Sequence, residues 1–146
     1  MNEALRLHGA MTAHLFKADG TVQTTHKDNM IVNVGFDFIA NAIGATTSRP
    51  NVMRYIAVGT GTTAVQATQS ALTTQLAIKE ATYNHLASTK TFTFTVTYNP
   101  GEATGAITEA GVFNSDSGIM FDRVVFSVIN KGAEDTLKIT FTFTMS

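Results

Sequence analysis

Polar and apolar residues alternate without a break from Thr91 to Tyr98. Phe92, Phe94, Val96 and Tyr98 fall on one side and four threonines on the other, the two-residue period of a half-buried strand. Thr136 to Ser146 repeats the pattern, with Leu137, Ile139, Phe141, Phe143 and Met145 opposing Thr136, Lys138, Thr140, Thr142 and Thr144. Arg54–Val58, Ile78–His85, Thr104–Phe113 and Ile119–Ile129 read as further strands. They are punctuated by turn clusters at Asn99-Pro100-Gly101, Asn114–Gly118 and Asn130–Asp135. Near the start, Met11–Lys17 and Thr21–Lys27 bracket Ala18-Asp19-Gly20. Asp-Gly between two strand-like runs is a strong hairpin signal, because its tight turn needs positive φ.

One segment breaks this rhythm. Val34, Phe38, Ile39, Ala42 and Ile43 recur at helical spacing, so a short helix is expected near residues 34–43. Asn33 is its expected N-cap, and Gly44 lies just past its end. Ala64–Leu76 carries weak signals and reads as a long irregular crossing with a helical turn near Ser70–Leu72. Seven or eight short strands with one helix predict a mostly β fold, an antiparallel β-sandwich or jelly-roll-like barrel. Residues 11–146 are expected to form one domain, with residues 1–10 as a docking arm or a first edge strand.

Composition narrows the function classes. Only 14% of the 146 residues are charged, against about 25% in typical domains, and the formal net charge is −1. A chain so balanced has no electrostatic footprint for nucleic acid or an anionic membrane. Its surface must be threonine, serine, asparagine and small apolar groups, which desolvate easily and suit association with other proteins. There is no cysteine. No apolar run approaches the ~20 residues that span a bilayer, and the first residues do not read as a secretory signal. A soluble protein is expected.

The search for chemistry finds no converging set. Gly59-x-Gly61 follows a strand, but neither a Walker lysine nor the third glycine of a dinucleotide fingerprint accompanies it. A two-residue turn at Asp19-Gly20 would pair His14 with Thr25 and His26 with Ala13. The two histidines would then lie on opposite faces of the hairpin, and with His8 and His85 they supply no metal site. Glu134 and Asp135 read as solvated turn residues. Glu109, set among β-type residues, is expected to accept from a loop amide or pair with an arginine such as Arg123. A catalytic acid would need a second acid or a nucleophile beside it. Gly-x-Ser-x-Gly is absent. Phe92, Phe94, Phe141 and Phe143 read as core. Tyr55, Tyr83 and Tyr98, with no tryptophan, make a poor sugar platform. No catalytic, cofactor-binding or metal residues are assigned.

Three stretches, Asn33–Ala40, Tyr55–Ala64 with Ser70-Ala71-Leu72, and Gly101–Phe113 with Arg123–Phe126, together resemble small virion proteins of tailed bacteriophages. Such proteins serve as capsid decoration (cement) proteins or as tail-fibre or baseplate subunits. The resemblance implies a homo-oligomeric, lattice-binding role without cofactors or catalytic residues. The expected partners are a major capsid protein and further copies of this chain, and the expected location is the virion surface after synthesis in the host cytoplasm. A short chain with no repetitive shaft and no receptor-binding tip domain favours decoration of the head over a fibre.

Overall fold

The two cleanest alternating runs pair with each other. In the computed structural model, which describes residues 4–146, the strands are β1 (Leu7–Phe16), β2 (Val22–Asp28), β3 (Met30–Ile31), β4 (Tyr55–Gly59), β5 (Gln75–Glu80), β6 (Thr82–His85), β7 (Thr91–Tyr98), β8 (Gly105–Phe113), β9 (Asp122–Lys131) and β10 (Thr136–Met145). They form two five-stranded sheets. The first has the order β2-β1-β10-β7-β6 and the second β3-β9-β8-β4-β5, with every pairing antiparallel. The fold is a β-sandwich with one short helix, α1 (Asn33–Gly44).

The core lies between the sheets. Met11, Leu15, Val96, Leu137, Ile139, Phe141 and Phe143 come from the first sheet, and Ile56, Val58, Ile107, Val112 and Val124 from the second. Burying each of the larger side chains contributes about 1.5–3 kcal/mol. Phe94 belongs to the same core and Phe92 packs at its margin. Tyr98 is buried too, and its hydroxyl donates to the Ile56 carbonyl at 2.6 Å, joining β7 to β4 across the core.

Several expectations are corrected. Ile78–His85 is two strands, not one: the chain leaves the second sheet at Ala81, whose N–H donates to the Arg54 carbonyl, and enters the first as β6. Residues 60–74 contain no helical turn. Asn33 lies inside α1, the N-cap is Val32 without a side-chain cap bond, and Gly44 is the last helical residue. Of the proposed arm, Leu7–Ala10 begin β1, an inner strand between β2 and β10. Residues 1–3 lie outside the described residues. The hairpin turn has three residues, since Lys17 N–H donates to the Thr21 carbonyl. Gly20 at φ 91° supplies the left-handed position that such a turn requires.

A buried carboxyl locks the passage between sheets. The chain leaves β2 through Asn29, and the Asn29 side-chain amide donates to Asp122. The Val112 N–H donates to the other oxygen at 2.9 Å. Asp122 is fully buried. Burial pushes its carboxyl up to about 8, outweighing the bonds from Val112 and Asn29. The unfolded group titrates near its ordinary 3.8, so the folded chain holds an extra proton between the two values. Stability is expected to fall as pH rises across that window and to level off above about 8. Urea midpoints of wild type and Asp122→Asn over a pH series check this. The substitution is expected to flatten the slope, and an unchanged slope would place its origin elsewhere.

Candidate functional site

An acid and an arginine from two strands of the second sheet meet on its outer face. There Glu109 on β8 and Arg123 on β9 form an ion pair whose side chains are wholly buried, at 3.0 Å. The β8–β9 register shifts between Ile107 and Glu109. The irregular crossing at residues 60–74 lies over the pair. Its apolar contribution is Leu72, which joins a second small core with Val32, Ala57, Phe113 and Met120.

Glu109 organises this layer. One carboxylate oxygen accepts from the N–H groups of Gly61 and Thr74, each at 2.8 Å, and the other from the N–H of Thr73 at 2.8 Å and the Arg123 Nε at 3.0 Å. Arg123 continues outward to the Thr63 carbonyl, the Gln69 side-chain oxygen and the Thr73 hydroxyl at 2.9–3.0 Å. Thr108 donates to the Gly61 carbonyl at 2.7 Å. Gly59-x-Gly61 therefore helps make an anion cradle of backbone amides, the type of concavity that holds phosphates elsewhere, and the anion in it is the chain's own carboxylate. A Cβ on Gly59 would come within 2.6 Å of that carboxylate, and one on Gly61 would collide with it. Burial pushes the Glu109 carboxyl up, but the three N–H donors and Arg123 outweigh burial and hold it below its ordinary value. Both oxygens are engaged inside the protein, so the group acts as a clamp on the crossing.

The remaining sequence candidates disperse or change face. The three-residue turn pairs His14 with Thr24 and Thr12 with His26, so His14 and His26 share the outer face of the first sheet, contrary to the expected register. Each ring is held by a threonine rather than by the other histidine, at 3.1 and 2.8 Å. His8 lies 3.4 Å from Asp28, and His85 bonds the Thr91 carbonyl. No group of three or more potential metal ligands gathers among the described residues. Asp135 is buried rather than solvated. It accepts from the N–H groups of Gly132 and Ala18 and so ties the β9–β10 turn to the first hairpin.

That outer face is paved with threonine. Thr12, Thr140, Thr95 and Thr82 lie directly opposite one another on four neighbouring strands. Thr142 and Thr93 form a second row with Asn84. Threonines in such rows pair across strands, as Thr95 and Thr140 do at 3.3 Å. The four central threonines Thr93, Thr95, Thr140 and Thr142 are half-buried even without a neighbour, so little hydration is lost when a partner covers them. Sequence pattern alone marked these faces, whereas the crossing's dependence on Glu109 was visible only as an isolated acid and arginine within strands.

No protein-family model matches the chain, and neither curated proteins nor solved structures yield a match.

Removing one member of the buried pair leaves the other charge uncompensated. Glu109→Gln and Arg123→Met are each expected to cost about 3–5 kcal/mol, with the double variant losing less than the sum. Because the Glu109 carboxyl is held below its ordinary 4.5, its contribution is present above that pH and is lost as pH falls through the folded value. Chemical denaturation should show this acid loss in wild type and its absence in Glu109→Gln. Equal acid sensitivity in both would assign the loss to other groups.

Proposed function

We propose that this chain is a structural protein of a tailed-bacteriophage virion, a decoration protein that binds the outer head surface and stabilises the shell. The observation that carries the reading is the nearly uncharged threonine face of the first sheet. It presents rows of short, already ordered side chains that another protein can cover at small desolvation and entropy cost. The resemblance supports the same reading, and its second and third stretches include part of the crossing and the clamp residues Glu109 and Arg123. A major capsid protein is the partner for the threonine face, and further copies of the chain are neighbours on the lattice. Repetition over a shell sums many weak contacts into a large stabilisation.

Electron microscopy of particles from a strain lacking this protein, with a heat challenge, tests the proposal. Missing density on the outer head and earlier heat-induced release of DNA are expected. Intact, equally heat-resistant heads with failed adsorption would overturn decoration and point to a tail appendage. For the face itself, Thr95→Lys with Thr140→Lys should abolish rebinding to stripped particles while leaving the fold intact by circular dichroism. Undiminished rebinding would exclude this face as the docking surface.

A further inference from the structure

The sandwich is open at one end. Leu7, Phe38, Val52, Tyr83 and Phe92 line an apolar cleft of about 630 Å³ between the first sheet and α1, within the ~300–1,000 Å³ range of pockets that bury a ligand. A polar cleft of about 610 Å³ adjoins it and shares Phe38, Val52 and Arg54. This second half holds Arg49 and Asn114. Arg54 is paired with Glu80 at 2.5 Å. Arg49 donates to the Ala42 carbonyl and has no carboxylate partner among the described residues. The cleft therefore offers apolar walls beside an uncompensated cation. Its rim is left exposed, with Val52 at 69% and Tyr83 at 57%.

The complementary feature lies at the other end of the same molecule. Phe16 and Val22 are the last residue pair of the β1–β2 hairpin and stand directly opposite each other. Both are exposed, at 42% and 53%. The Asp19 carboxylate sits on the turn beside them and is held below its ordinary pKa by the Thr21 hydroxyl and N–H, so it is an anion at neutral pH. Leu7 in the cleft and Phe16 at the tip are nine residues apart on one strand, roughly 30 Å at the rise of a β-strand.

We propose that the cleft receives the β1–β2 hairpin tip of a second copy, with Phe16 and Val22 against the apolar walls and Asp19 facing Arg49. Knob and socket occupy opposite ends, so the contact is head-to-tail. Such a contact closes into a ring or propagates as a row, according to the rotation between copies. Phe16 and Val22 end the outer face of the first sheet beside His14 and Thr136, so the contact covers that corner and leaves the central rows around Thr95 and Thr140 free. The contact gives the self-association proposed above its geometry and in that respect rests on that reading.

Light-scattering mass measurements on the full chain, from micromolar to submillimolar concentration, test it. Wild type is expected to assemble with rising concentration, while Val52→Asp and Phe16→Asp each stay monomeric with unchanged thermal midpoints, both residues being exposed. The two variants mixed in equal amounts should form a one-to-one dimer and nothing larger, because one keeps its tip and the other its cleft. Monomeric wild type, assembly of either variant, or a mixture that stays monomeric would each overturn the contact. Monomeric protein still found on particles would overturn it while leaving the virion reading in place.

Discussion

A single buried carboxylate holds the second half of this fold in place. Residues 60–74 form no regular structure, yet they cover one face of a sheet. Backbone in such a layer must find partners for its N–H and C=O groups, and Glu109 with Arg123 provides them. Three amides converge on the carboxylate, and a carbonyl and two side-chain oxygens on the guanidinium. Neither charge is tolerable there alone. The crossing and the pair thus depend on each other, and the second core around Leu72 and Phe113 depends on both.

This arrangement separates the two sheets by role. The second sheet is covered within by the first sheet, and around the Glu109–Arg123 pair by the crossing without, so β8 is buried from Ile107 to Phe113. The first sheet keeps one face open, and that face is paved with threonine. A few of the chain's charged groups are spent internally: Asp122 at the sheet passage, Asp135 at the turns, and the Glu109–Arg123 pair.

Legibility in the sequence followed the strength of the local pattern. β7 and β10 alternate without error and their ranges were readable to within a residue. The break at Ala81 was not, because alanine continues a strand as readily as it bends one and no glycine or proline marks the sheet change. The register of the first hairpin turned on one residue of turn length, and that residue decided which face His14 and His26 share. Burial of Asp122 and Asp135 had no signal, since each takes a partner distant in sequence, the Asn29 side chain and the Ala18 amide. Glu109 was better marked. An acid and an arginine embedded in β-type runs of a sparsely charged chain invite pairing, whereas the crossing amides that complete the site come from residues with no pattern. Gly59-x-Gly61 invited a phosphate-loop reading that lacked its partner residues, and nothing in the pattern told that the anion would be internal.

Amide hydrogen exchange at Gly61, Thr73 and Thr74 tests the clamp most directly, compared between wild type and Arg123→Met. These amides should be strongly protected in wild type. In the variant they should exchange much faster, while those of β7 and β10 remain slow. Rapid exchange at the three positions in wild type, or undiminished protection in the variant, would contradict a crossing held by the buried pair.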